Sequence, residues 1–140
     1  MEAFWYSYYM KTIAKRLLDG QDVMIEIVKF VKENDVKAGV ILSAVGSLRK
    51  SNIRVPIIDG EVKYINPENL EIDNLHGTVS TDSVHLHIAV SNIDGLVMGG
   101  HLKEGCIVRT TCELVIGVLD DVEFKREADS TTGFDELVVR

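Results

Sequence analysis

From Ser83 to Leu119 the apolar positions alternate more regularly than anywhere else in the chain. Leu86, Ile88 and Val90 recur at every second position, so they share one face of a half-buried strand. Asp94-Gly95 signals a tight turn, and Leu96, Met98 and Leu102 continue on the way back. A three-residue loop, Ile93-Asp94-Gly95 with its glycine left-handed, sets Val90 against Met98, Leu86 against Leu102 and His87 against His101. A two-residue loop would set Ile88 against His101 and mix apolar with polar on one face, which burial penalises. Gly99-Gly100 leaves room for a bulge that would change this parity. A long strand follows. Cys106, Val108, Thr110, Cys112, Leu114, Ile116 and Val118 form one face, and Ile107, Arg109, Thr111, Glu113, Val115 and Gly117 the other.

The pattern elsewhere completes an outline. Met1 to Leu18 reads as extended, with Phe4, Tyr6 and Tyr8 alternating against Trp5, Ser7 and Tyr9. Such rings suit an edge strand or a subunit contact better than base stacking. Asp22 is placed to cap a helix whose buried face carries Met24, Ile27, Val28 and Val31, and Asn34-Asp35 ends it. Val36 to Val45 predicts a strand buried on both faces or nearly so, broken at Gly46-Ser47. Asn52 to Ile58 and Glu61 to Ile65 predict a hairpin across Asp59-Gly60, with Pro56 marking a sheet edge. Asn66 to Asn69 reads as a turn. Leu70 to Ser80 is a further strand, in which Gly77 marks a bulge or a close approach. Asp120 to Glu127 reads as a polar last strand and Ser130 to Gly133 as a turn.

Composition narrows the class. The 140 residues suit one domain, and 46% hydrophobic content is enough for a core. Fifteen basic against 22 acidic residues leave a net charge of −7, a poor match for a phosphate backbone. No apolar run is long enough for a membrane span, and the N-terminus does not read as a signal peptide, so the cytoplasm is expected. Cys106 and Cys112 lie about 20 Å apart on one strand, beyond disulfide reach, and read as small core residues.

The histidines carry the candidate chemistry. In the favoured register His85, His87 and His101 share the polar face of the hairpin, close enough to close on one metal ion. Three protein ligands with a fourth position free is the pattern of catalytic zinc. The competing reading is three ordinary histidines on a solvated face. His76 reads as structural or surface. Glu113 is a candidate general base or support beside the metal, against the alternative that it pairs loosely with Arg109. Arg49, Lys50 and Arg54 form a basic knot, read as a solvated loop before an anion contact.

LEIDNLHGTVS, HLHIAVSNIDGLVMGGHLKEGCIVRTTCELVIGVL and FKREADSTTGFDELVV together resemble the plant and prokaryote conserved (PPC) domain in its bacterial and archaeal form. LLDGQDVMIEIVKFVKENDV followed by ILSAVGSL is similar to the start of that domain. GGHLKEGCIV and TTGFDEL are the most specific pieces. The resemblance covers residues 13–139, which implies one PPC-like domain over 1–140, with 1–12 as an N-terminal extension and 13–139 as the core. It implies an α+β fold, mainly an antiparallel sheet with one or two flanking helices, and a homotrimer. It also implies one divalent ion per chain, taken to be zinc, on the residues that match His85, His87 and His101. Plant members bind AT-rich DNA through hooks, and this chain has no Arg-Gly-Arg-Pro hook. Prokaryotic members are nonetheless often labelled as DNA-binding. The fold resembles that of acetolactate decarboxylase as well, a zinc lyase with a similar His-x-His and later His. Two functions are carried forward: a metal site that binds or acts on a small molecule, and a DNA-binding or transcription-associated assembly module with a structural metal. No nucleic-acid-binding residue is assigned, DNA binding is expected to be weak or absent, and whether the chain is an enzyme stays open.

Overall fold

The computed structural model describes residues 10–140. The aromatic alternation from Phe4 to Tyr9 lies outside the described residues. The extended segment expected there is seen from β1 (Lys11–Leu18), which is followed by α1 (Val23–Glu33), β2 (Gly39–Lys50), β3 (Ile53–Arg54), β4 (Tyr64–Ile65) and β5 (Glu68–Val79). The chain continues through β6 (Val84–Ser91), β7 (Val97–Leu102), β8 (Ile107–Val118), β9 (Phe124–Ala128) and β10 (Asp135–Val139). Eight strands form one antiparallel sheet in the order β1-β8-β2-β5-β6-β7-β3-β4, and β9 and β10 pair as a separate hairpin. This is the expected α+β class, with one helix among the described residues.

The helix starts where Asp22 accepts hydrogen bonds from the backbone N–H of Met24 and Ile25, and ends at Asn34. Its buried face is Val23, Ile27 and Val31, while Met24 and Val28 are only half-buried. Those three pack into a core shared with Leu48, Leu75, Leu86, Val108, Leu114 and Ile116 from the central strands. Each fully buried aliphatic side chain contributes about 1.5–3 kcal/mol relative to exposure. Cys106 and Cys112 are free and buried in this core, as expected.

Four expectations need correction. The second strand does not break at Gly46-Ser47: β2 runs on to Lys50, with register shifts along it. A Cβ at Gly46 would lie 2.1 Å from the carbonyl oxygen of Thr111, so the glycine lets β8 pass close by. Nor is β2 buried on both faces, since Leu42 and Val45 are 46% and 55% exposed. The turn expected over Asn66–Asn69 is shorter, because β5 already begins at Glu68. The last strand of the expected outline starts at Phe124 rather than Asp120, and β10 follows it. The Asp59-Gly60 hairpin forms, with both turn residues at positive φ, though its ladder holds only β3 and β4 plus one bridge. It sits at the sheet edge, as Pro56 suggested.

Candidate metal centre

The hairpin of β6 and β7 adopts the three-residue loop. Gly95 has φ of 74°, Asn92 N–H donates to the carbonyl of Leu96, and Val90 stands against Met98. The side chain of Asn92 accepts from the N–H of Asp94 and Leu96 and closes the turn. No bulge forms at Gly99-Gly100, so the parity holds to His87 against His101. The apolar set Leu86, Ile88 and Val90 is buried below the sheet, and this drives the histidines to the other face.

Register extends the row. His76 on β5 stands opposite His87, His87 opposite His101, and His101 opposite Arg54 on β3. His85 lies two residues from His87 on the same face and stands opposite Thr78. The ring centroids of His85 and His101 are 4.9 Å apart, those of His85 and His87 5.3 Å, and those of His87 and His101 5.4 Å. One nitrogen from each of these three rings lies within 4.8 Å of the others. Donors on one tetrahedral zinc ion at ~2.0–2.1 Å would be about 3.3 Å apart, so small side-chain rotations close the set. His101 Nδ1 is buried with no hydrogen-bond partner. A buried nitrogen left so is costly unless a ligand satisfies it. The donor set therefore fits a divalent ion.

Burial holds all three imidazoles below their ordinary pKa. His101 is pushed down to about 4, with Lys103 and Arg54 adding to the effect. For His85 burial is followed by Arg126, and for His87 by His76. Neutral imidazole at physiological pH is the form that ligates a metal.

A cleft of about 600 Å³ opens beside His85 and His101. Its floor and rim include Arg54 and Val84 from the main sheet, Ser83 and Lys103 just outside β6 and β7, and Arg126, Phe134, Asp135 and Glu136 from the β9-β10 hairpin. That hairpin is moored by Phe124 N–H to Lys37 carbonyl and by Arg126 N–H to Asp82 carboxylate. The Arg126 guanidinium also donates to Thr78 Oγ1 at 3.1 Å.

Glu113 is not brought to this place. It stands on β8 opposite Arg16 and Val45, with β2 and β5 between it and β6. Strand spacing puts that separation at about 14 Å. The basic knot comes apart: Arg49 pairs with Asp19, Lys50 lies at another depression, and Arg54 alone joins the histidines. His76 is exposed, with its ring centroid 6.1 Å from that of His87. Periodicity missed Arg126, Phe134, Asp135 and Glu136. Only the FKREADSTTGFDELVV run marked that segment, and it gave these residues no role.

The profile of the Plants and Prokaryotes Conserved (PCC) domain matches residues 6–120. The chain belongs to this family. The solved structure of a protein from Salmonella cholerae-suis superposes with a TM-score of 0.87 at 36% identity, covering 96% of each chain. AF0104 from Archaeoglobus fulgidus, described as a metal-containing protein, is 29% identical with a TM-score of 0.80 over 99% of both chains. A Bacteroides thetaiotaomicron protein described as a DNA-binding candidate has a TM-score of 0.82 over 94% of this chain and 96% of its own, at 21% identity, and shares the fold alone. Among curated proteins, the bifunctional protein GlmU of a Synechococcus strain is 42% identical over 87% of this chain. The chain spans about a fifth of the length of that relative, 19%. No described helix of this PCC domain is long and apolar enough to cross a membrane.

Proposed function

We propose that this PCC domain is a metal-binding protein that holds one divalent ion, zinc, on His85, His87 and His101 and receives a small molecule in the adjoining cleft. The observation that carries the reading is the convergence of three ring nitrogens within 4.8 Å beside an open cleft. Three nitrogen ligands leave a tetrahedral ion one position short, and a structural zinc site would fill it from the protein. A bound divalent ion there supplies Lewis-acid polarisation or activation of water. The chain's own residues do the rest. The β6-β7 register fixes the three rings on one face, burial keeps them unprotonated, and the β9-β10 hairpin walls one side of the cleft. The metal-containing relative from Archaeoglobus supports the reading.

The same proposal includes a homotrimer. Its support is the open face of the sheet, where Met10, Leu42 and Val45 are 43%, 46% and 55% exposed. The test of the metal reading is elemental analysis of purified protein. We expect up to one ion per chain, most of it lost in His87→Ala. Full metal retention by that variant would place the site elsewhere.

A further inference from the structure

The metal reading leaves three cations unexplained. Arg54, Lys103 and Arg126 all line the cleft, all are half-buried, and none forms an ion pair among the described residues. The seven ion pairs among the described residues lie elsewhere in this net-acidic chain. Register, not chance proximity, brings the three together. Arg54 is the cross-strand neighbour of His101, so its side chain leaves the same face about 5 Å away. Lys103 follows His101 by two residues. Arg126 is tethered to Thr78, the residue opposite His85. Asp135 and Glu136 also line the cleft, yet neither comes within ion-pair distance of these cations.

Half-buried cations with no carboxylate within ion-pair reach are held at a cost that an anion would relieve. Guanidinium groups match carboxylates and phosphates alike in two-point geometry, so the choice between the two falls to the rest of the cleft. Phe134, Val84 and Ile57 supply an apolar wall on the same cleft. We propose that the small molecule is an organic carboxylate with a compact apolar body, its carboxylate held by Arg54 and Arg126 with Lys103 beside it. The inference rests on the proposed small-molecule function, whose metal it sets next to the ligand's charged end. It adds the chemical class of the ligand and the residues that select it.

The experiment is calorimetric titration with three probes: phenylacetate, the neutral phenylacetamide and inorganic phosphate. Zinc content is measured first, and each titration is repeated on chelator-treated protein. Phenylacetate should bind to the zinc-loaded protein, phenylacetamide at least about tenfold more weakly, and phosphate more weakly than phenylacetate. Arg54→Met should weaken phenylacetate about tenfold or more while keeping its zinc and its melting temperature, and Arg126→Met should weaken it as much while keeping its zinc, at a lower melting temperature because the Thr78 mooring is lost. Lys103→Met, at the end of β7, is the variant to use if either arginine change impairs folding, and should weaken it in the same direction. Equal binding of the amide, or unchanged binding in all folded variants, overturns the proposal. Phosphate binding tighter than phenylacetate overturns the choice of carboxylate. A protein that takes up no zinc fails the metal reading alone, because phenylacetate titrated into the chelator-treated protein still tests the cations.

Discussion

A Cβ added at Gly77 would lie 2.0 Å from the carbonyl oxygen of His85, and the glycine has φ of 139°. No side chain fits there without moving β6, and β6 carries two of the three imidazoles. Gly77→Ala is therefore expected to cost about 2–4 kcal/mol. Urea unfolding should report the loss, and elemental analysis should show lower metal content in the fraction that folds. Unchanged stability would mean that β5 and β6 sit further apart than described. At the level of single residues, the three histidines were legible because apolar neighbours set their parity. Leu86, Ile88 and Val90 had to be buried, so the residues between them had to face out. Arg54 was half legible: a strand over Asn52 to Ile58 was expected, but nothing in the sequence set it beside β7, and its grouping with Arg49 and Lys50 read as a solvated loop. Glu113 shares the outward side of an alternation with nothing to say how far across the sheet it stands.

Helix α1 is held to β1 by an ion pair between Lys15 Nζ and Glu26 at 2.7 Å, with the same ammonium 5.4 Å from the centre of the Phe30 ring. The hydrogen bond from Lys15 holds the Glu26 carboxyl below its ordinary value of 4.5. A depressed folded value means the unfolded chain binds the proton more readily. The stabilisation is thus full above about pH 4.5 and lost as pH falls towards the lower folded value. Glu26→Gln should cost about 0.5–1 kcal/mol at neutral pH, and its deficit should shrink in acid. Melting temperatures at pH 7 and pH 3.5 check this; a constant deficit would assign the loss to packing instead. The helix itself was legible from spacing and its Asp22 cap. The β9-β10 hairpin was not. Asp135 and Glu136 open β10 with consecutive charges, and its return over the cleft is set by moorings to Asp82 and Thr78 rather than by any local period. The break expected at Gly46-Ser47 failed for a related reason: a glycine that ends one strand and a glycine that admits a neighbouring backbone look alike in one dimension.

For the molecule as a whole, charge and exposed apolar surface point to different partners. The net charge of −7 argues against duplex DNA, and a non-specific binder at physiological salt shows a dissociation constant of ~10⁻⁴–10⁻⁶ M at best. We expect no mobility shift at sub-micromolar protein; a shift that resists competitor DNA would revive the assembly-module reading. The apolar open face favours self-association instead. Light scattering should report a trimer, and chelation should leave it intact, because the histidines lie towards the other end of the strand order from β1, β8 and β2. A monomer under native conditions would sink the assembly.

One feature of the strand order bears on how the chain reaches this state. β8 lies between β1 and β2, so Lys11 finds its cross-strand neighbour in Val118 and Gly39 finds its own there too. Neither early strand has that template until most of the polypeptide exists. A ribosome releasing the chain from its N-terminus exposes α1 and the Leu42–Val45 surface long before β8 emerges to order them. Closure of such distant pairings is slow, on the order of milliseconds to seconds for chains dominated by non-local contacts. The vulnerable interval during synthesis is thus written into the placement of a single late strand, and a truncation that removes β8 would leave β1 without any pairing partner in the main sheet.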